Sequence, residues 1–280
     1  MRIQIPRELE EMAVACTHLP CLPTVAAQLV EVLGAARWTV DEVSPWIRRD
    51  PVLAGHLLRV ANSPPFRGEA PLFSVTDSMS QIGTGALKGV LLGICNKALF
   101  KEVRSADYEV AEHALVAALA CRCLSSTVSG LNSEQAYVAG LLHDVGKNLF
   151  LEAIPESYTA LVHDGFGPPR FVEREERVVG YTHAAGGAAL VLGWRLPTGF
   201  ARALFWHHEL EAGQALVPAE RRLCLLMALG DRVAHGLDEG DTLDWETEPA
   251  AVALGLGPRE LGSVVGRVRD EFGLERSRLC

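Results

Sequence analysis

The sequence predicts an all-α fold. Apolar residues recur at helical spacing along most of the chain, and capping and proline signals mark repeated helix starts. Alternating strand patterns and a βαβ rhythm are nearly absent. Of the 280 residues 49% are hydrophobic, which suffices for a large core in one domain or in two closely packed ones.

Capping signals define the first helices. Thr39 and Glu42 have capping-box spacing and predict a helix to about Arg49. Asp50-Pro51 combines an N-cap with proline at the first helical position and predicts the next helix, which the run 62–65 (NSPP) ends. One broad face of this second helix is expected to be buried; its apolar residues are Leu53, Leu57, Leu58 and Val60.

Two further N-caps precede the middle of the chain. Ser74 predicts a short helix, and Thr84 predicts a long one that runs to about Val103. The polar stretch KEVRSAD that follows indicates a subdomain boundary near residue 104. We therefore expect an N-terminal helical part at 1–103, packed against the rest because no Pro/Gly/Ser-rich tether separates them.

Helical spacing resumes at Tyr108 and continues to about Thr127, and Gly130 interrupts it. The next helix is predicted from Glu134 to about Ala153, and Pro168-Pro169 is predicted to be a loop. Further helices are expected near 170–179, 183–194, 198–210, 218–236 and 258–272. The remaining boundaries place a helical core at 104–240 and a C-terminal helical extension at 241–280.

Charge and cysteine usage exclude some classes of protein. The net charge of −9 disfavours nucleic-acid binding, and the short basic spots WIRRD and ERRLC are interpreted as solvated helix faces. The chain lacks a run of about 18 apolar residues, so membrane insertion is not expected. The N-terminus is acidic too early for a signal peptide, and seven cysteines without a CxxC motif indicate reduced thiols. The sequence therefore predicts a cytoplasmic protein.

Several histidines and aspartates lie inside apolar helices, where each would cost free energy without a partner. Taken singly, each is explained as a hydrogen-bonded core residue, and His18, His56, His163 and His235 are placed in that class. Lys147 could extend to the surface along its alkyl chain. A second set is predicted to converge on a metal site: His113, His143, Asp144, His183, His207, His208 and Asp231. Imidazole and carboxylate without thiolate suit Fe, Mn, Co, Ni or Zn.

The order of these residues resembles the HD superfamily of metal-dependent phosphohydrolases. The resemblance rests on His113, then His143-Asp144 within GLLHDVGK, then Asp231. The additional His183 and His207-His208 resemble its binuclear members, including the HD-GYP cyclic-dinucleotide phosphodiesterases. The resemblance implies two ions bridged by Asp144, with Glu109 at the position of an extra acidic ligand. After WHHE, however, the chain reads LEAGQALVPAE and departs from the GYP pattern.

Longer segments resemble HDOD domains, the HD-related output domains of bacterial signalling. These segments are LPCLPTVAAQLVEVL, IRRDPVLAGHLLRVANSPPF, SVTDSMSQIGTGALKGVLLG and HAAGGAALVLGWRLP. The resemblance implies an HD-type helical core with an HDOD-type helical subdomain packed against it.

Two functions remain open. The first is a signalling module that acts through a protein partner and retains a metal site. The second is a phosphohydrolase acting on a nucleotide or cyclic dinucleotide, in which Asp144 and Lys147 are the catalytic residues and Lys147 contacts a substrate phosphate or a carboxylate behind the ligands. The sequence favours signalling, because no Gly-rich phosphate cradle precedes a helix and no enzyme-type motif follows His208.

Overall fold

A computed structural model of the chain describes residues 3–16, 18–98, 104–128, 130–164, 168–239 and 245–277. The regular secondary structure of these residues is helical and includes no β-strand, so the all-α prediction is confirmed. The helices are α1 (Arg7–Ala15), α2 (Pro23–Gly34), α3 (Val40–Arg48), α4 (Pro51–Ala61), α5 (Val75–Ala98), α6 (Ser105–Ser125), α7 (Ser133–Leu142), α8 (Val145–Ala153), α9 (Pro155–His163), α10 (Pro168–Val179), α11 (His183–Gly193), α12 (Thr198–Phe205), α13 (Pro218–Glu239), α14 (Pro249–Leu254) and α15 (Pro258–Ser277). A 3-10 turn, Ala212–Ala215, lies between α12 and α13.

The predicted caps form as expected. At the start of α3, Thr39 Oγ1 accepts from the Glu42 amide at 3.3 Å, and the Glu42 carboxylate accepts from the Thr39 amide at 2.7 Å. Asp50 Oδ1 accepts from the Leu53 amide at 2.8 Å and opens α4. These bonds satisfy amides that have no partner inside the helix.

α5 contains the predicted pair of helices. Gly83 lies at φ 75° and ψ 152°, outside the helical region, and divides α5 into a short part that begins after Ser74 and a long part that begins at Thr84. The positive φ explains why glycine occupies this position. The predicted end near Val103 and the boundary at 103/104 lie outside the described residues, as does the boundary at 240/241.

Three predictions need correction. The helix predicted from Glu134 to Ala153 is two helices, α7 and α8, separated by a break at His143-Asp144. Pro168-Pro169 is not a loop but begins α10, where proline is tolerated because first-turn amides have no helical partner. The helix predicted over 198–210 ends at Phe205.

The N-terminal helices pack against the remaining helices in one core, as predicted. Leu53, Leu57 and Leu58 on α4 are fully buried, whereas Val60 is only partly buried. Where Gly55 of α4 meets the ring of Trp194, the position that a Cβ would occupy is 2.1 Å from the ring. A residue larger than glycine would therefore push the two parts of the molecule apart.

A second link joins α3 to α7. Arg48 makes a bidentate ion pair with Glu134 at 2.6 and 3.1 Å, and the Tyr137 hydroxyl donates to the Arg48 carbonyl at 2.7 Å. The Arg48 side chain is only 16% exposed, so the interpretation of WIRRD as a solvated face is wrong at this position.

Close contacts at glycine bring the later helices together. A Cβ on Gly140 of α7 would lie 2.5 Å from the Ala117 carbonyl of α6. A Cβ on Gly146 of α8 would lie 2.0 Å from the His183 carbonyl oxygen of α11 and 2.6 Å from the Gly187 amide nitrogen. The absence of side chains at these points allows α6, α7, α8 and α11 to approach closely. Among the described helices, none is long and apolar enough to cross a membrane.

Candidate metal centre

The seven histidine and aspartate residues predicted to converge do lie together. They form two groups that share Asp144: His113, His143, Asp144 and Asp231 in the first, and Asp144, His183, His207 and His208 in the second. Within each group, one nitrogen or carboxylate oxygen of every residue lies within 4.8 Å of the others. His113 and His208 retain slight side-chain exposure of 11% and 14%, and the rest are buried. These buried clusters could hold a metal.

The break between α7 and α8 places Asp144 between the two groups. Its Oδ2 lies 3.3 Å from His143 Nε2 and 3.6 Å from His113 Nε2. Its Oδ1 lies 3.0 Å from His183 Nε2 and 3.8 Å from His207 Nε2. Each carboxylate oxygen therefore faces a different group.

Backbone carbonyls fix the orientation of two rings. His143 Nδ1 lies 2.7 Å from the Gly140 carbonyl oxygen, and His207 Nδ1 lies 2.6 Å from the Leu204 carbonyl oxygen. A carbonyl only accepts, so Nδ1 carries a proton in both rings, and Nε2 is the ring nitrogen that faces the cluster. With Nδ1 held in this way, Nε2 is the nitrogen left for a metal.

Glu175 orients a third ring, and the sequence analysis missed it. Its Oε2 accepts from the His183 amide at 2.7 Å and from His183 Nδ1 at 2.8 Å, and its Oε1 accepts from the Tyr158 hydroxyl. The carboxylate is fully buried behind the ligands. Its position was readable, because Glu175 follows the buried Phe171 by four residues and so lies on the apolar face of α10.

The hydrogen bonding of four polar atoms in the cluster indicates whether a cation fits there. Among the described residues, His143 Nε2, His207 Nε2 and both carboxylate oxygens of Asp144 are buried and make no hydrogen bond. Such groups usually have partners in folded proteins, since leaving them without any is costly. A divalent ion would supply a partner for His143 Nε2 and His207 Nε2, and it would add to the ion pairs that the Asp144 oxygens make with Lys147 and His183. The residues present therefore fit a metal.

In the metal-free cluster the pKa values of the histidines shift in opposite directions. Burial alone would lower the pKa of His143, but Asp144 and Asp231 outweigh it and raise that pKa to about 10. Burial is likewise outweighed at His183, where Glu175 and Asp144 raise the pKa to about 9. At His207 burial and the neighbouring imidazoles lower the pKa to about 3. The charges on His143 and His183 therefore offset part of the negative charge of the carboxylates when no metal is bound.

Lys147 is placed at the edge of the cluster. Its Nζ lies 2.5 Å from Asp144 Oδ2 and 4.7 Å from the centroid of the Phe171 ring. The side chain is 12% exposed, so it does not extend to the surface. The ammonium offsets part of the negative charge that Asp144 brings into the core.

Glu109 does not join either group. Its carboxylate is half-exposed and lies 3.3 Å from His163 Nε2, so the expectation that it is a metal ligand is withdrawn. His235, which was assigned to the core class, does reach the site: its Nε2 lies 3.3 Å from Asp231 Oδ1, and its ring lies 4.5 Å from that of His113. The spacing of four residues between Asp231 and His235 on α13 was the available signal.

A cleft of about 610 Å³ opens beside the cluster. His207, His208 and Asp231 contribute to its wall, together with Arg232 of α13 and Glu248 at the start of α14. A small molecule in this cleft would meet the second group of ligands from the solvent side.

Known proteins share this sequence pattern and fold. A family model described as HDOD domain matches residues 19–210. The chain is 22% identical over 223 residues to an uncharacterized protein of Treponema pallidum (strain Nichols), covering 75% of this chain and 43% of that protein. The chain thus spans less than half the length of this curated relative.

Two solved structures resemble the molecule. The MmoQ response regulator of Methylococcus capsulatus str. Bath superposes with a TM-score of 0.73 at 23% identity, covering 88% of this chain and 97% of that one. An HDOD domain protein with unknown function from Geobacter sulfurreducens gives a TM-score of 0.50 at 22% identity, covering 97% of each chain. The fold is shared with both, and the family match over most of its length shows that the chain belongs to the HDOD family.

Proposed function

We propose that this HDOD protein acts in bacterial signal transduction through a protein partner, and that its His/Asp cluster holds two divalent transition ions bridged by Asp144. The observation that carries the metal site is the convergence of the seven His and Asp donors in the core, where Nε2 of His143 and of His207 is buried and makes no hydrogen bond. Family membership supports the signalling role.

Each ion has its own set of donors in this proposal. His113, His143, Asp231 and Asp144 Oδ2 hold one, and His183, His207, His208 and Asp144 Oδ1 hold the other. The donors are nitrogen and oxygen only, so Fe, Mn, Co, Ni and Zn are the candidates. Bound ions would supply Lewis acidity and a water molecule of lowered pKa.

The protein's own groups prepare the site before any ion arrives. Carbonyl oxygens hold His143 and His207 in the required tautomer, and Glu175 does the same for His183. The described cysteines are free thiols, which supports a reducing compartment and thus a cytoplasmic location.

A second function, phosphohydrolysis of a nucleotide or cyclic dinucleotide, is favoured by one observation. The cleft of about 610 Å³ borders His207, His208 and Asp231, so a phosphate ester could approach the ligands directly. In this function Asp144 holds both ions, and Lys147, 2.5 Å from its carboxylate, is the candidate contact for a phosphate oxygen.

Two measurements test these proposals. Elemental analysis of protein purified without chelator should find up to two transition ions per chain, and finding none at neutral pH would overturn the metal site. The metal-loaded protein should then be offered cyclic dinucleotides and bis(p-nitrophenyl) phosphate. Turnover that disappears in Asp144→Ala selects the hydrolase, whereas full metal loading without turnover selects the signalling role.

A further inference from the structure

A second cleft, of about 660 Å³, lies at the opposite end of α14 from the metal centre. Glu248 and Pro249 at the start of α14 border the metal-side cleft, whereas Ala253 and Leu254 at its end border this one. The end of α6, the 3-10 turn and the first turns of α13 complete the wall. Leu216 and Leu225 give this wall an apolar part.

The wall of this cleft is positively charged. Arg221 and Arg222, from the ERRLC segment, contribute to its wall, and no aspartate or glutamate does so in the part of the chain that the structure describes. The chain as a whole has 35 acidic and 26 basic residues. Glu220, the acidic residue next to the two arginines, is bound instead to Arg202 at 2.9 Å.

Neither guanidinium has a hydrogen-bonding or ion-pair partner among the residues that the structure describes. Within the described ranges, Arg221 and Arg222 make no ion pair and no side-chain hydrogen bond, and the Nε atom of Arg222 is buried and unbonded. A buried guanidinium donor without an acceptor is unfavourable. Arg222 is partly buried, so the ERRLC segment is a solvated face only in part.

The Arg222 side chain lies beside the backbone of Gly130. Gly130 has φ 81°, and the position that its Cβ would occupy is 3.4 Å from Nη2 of Arg222. The guanidinium thus lies against bare backbone. Both arginines also lie near the start of α13, where the helix dipole disfavours cations. An anion in the cleft would relieve this repulsion.

We propose that this cleft is a binding site for the phosphoryl group of a small molecule, separate from the metal centre. Two guanidiniums match a phosphate dianion in charge, and each can donate two hydrogen bonds to its oxygens. Gln214 and Thr127 provide neutral polar groups on the same wall, and the leucines would receive the apolar body of the ligand. A ligand bound here contacts the short helix whose other end borders the metal-side cleft.

Titration calorimetry with pyrophosphate and with orthophosphate tests the site, using the full chain with and without chelator. Wild-type protein should bind saturably in both conditions. Arg222→Gln and Arg221→Gln should each weaken binding about tenfold or more, because each removes charge-assisted hydrogen bonds. The matched control is Arg269→Gln, at an exposed position on α15, which should bind as wild type does.

Circular dichroism of each variant separates loss of the site from loss of the fold, and two independent variants guard against failure of one. Three results would overturn the proposal: no saturable binding by the wild type, binding retained by both cleft variants, or binding abolished by chelator. The last would assign the phosphate to the metal cluster. Because the chelated protein is tested directly, the outcome does not depend on whether the cluster is catalytic.

Discussion

Glu175 Oε2 accepts hydrogen bonds from both the backbone amide and the Nδ1 atom of His183, at 2.7 and 2.8 Å. One carboxylate oxygen thereby fixes the start of α11 and the tautomer of the ring that projects from it. Because Glu175 belongs to α10, a shift of α10 would change the direction in which the His183 ring points.

Replacing Glu175 by Gln should weaken metal binding by roughly 10- to 100-fold, the usual cost of losing a hydrogen-bonded carboxylate behind a histidine ligand. The variant keeps the size of the side chain but removes its charge, so His183 becomes a poorer donor. Competition with a chromophoric chelator would measure the change. Glu176→Gln, at an exposed neighbouring position, should leave the affinity unaltered. Equal affinities for the two variants would contradict the role of Glu175.

Asp144→Ala should remove both ions, whereas His207→Ala should mainly remove one. The reason is that Asp144 belongs to both groups of ligands and His207 to the second group alone. Elemental analysis of the purified variants gives the stoichiometry directly, and Asp270→Ala on the exposed side of α15 serves as the control. Retention of a full complement of metal by Asp144→Ala would show that its carboxylate is not the bridge.

Metal affinity should increase as pH rises from 7 to about 9. The pKa of His183, at about 9, and that of His143, at about 10, mean that each imidazole is protonated at pH 7 in the metal-free protein. Each must lose its proton before its Nε2 can bind an ion, so each group should gain roughly tenfold in affinity per pH unit. The unperturbed histidine value near 6.5 would place this dependence too low. Titrations with Co²⁺ at pH 7, 8 and 9 measure the slope, and a flat profile would rule out the protonated imidazoles.

The metal-free protein should be most stable near pH 6.5. Above that value the unfolded chain has lost its histidine protons, and the stability provided by the raised pKa of His143, about 10, disappears as pH rises through it. Below about 6.5 the unfolded chain gains protons that His207, with a pKa of about 3, cannot accept in the fold, so stability falls again. Urea unfolding in chelator across pH 5 to 10 would reveal the maximum. Added metal should move the maximum to higher pH.

Gly146→Ala should destabilise the fold and loosen the second group of ligands. The added methyl would lie 2.0 Å from the His183 carbonyl, so α8 and α11 must separate at a cost of about 1–3 kcal/mol or more. Asp144 and His183 would move apart with them. Gly262→Ala on α15 is the matched substitution, because its Cβ meets nothing within 4 Å; it should be neutral or stabilise by up to about 1 kcal/mol. Unfolding curves and metal content of both variants check the comparison, which fails if the two behave alike.

The sequence predicted those parts of the fold that depend on local contacts. Thr39, Asp50 and Ser74 cap helices through bonds to amides three residues away, and such bonds can be read from spacing alone. The break at His143-Asp144 could not be read in this way, because the apolar pattern continues through it. Just after the break Gly146 packs against α11, and this contact joins residues distant in the chain, which local spacing does not show.

In the candidate site, too, some residues could be predicted from the sequence and others could not. The histidine and aspartate residues of the cluster were predicted to converge because their order resembles a known superfamily, and they do lie together. Glu109 was added from the same resemblance but lies beside His163 instead. Glu175 was missed because nothing local shows which buried group a glutamate will meet. Its partner, His183, became evident only when α10 and α11 were seen side by side.

The ion pair between Arg48 and Glu134 connects α3 to the first turn of α7. His143 directly follows the last residue of α7, so Glu134 and His143 are about 13 Å apart along one continuous helix. Near the C-terminal end of α7, Gly140 packs closely against α6. A displacement of α3 is therefore expected to move His143 as well, because α7 joins the N-terminal helices to the buried His/Asp cluster.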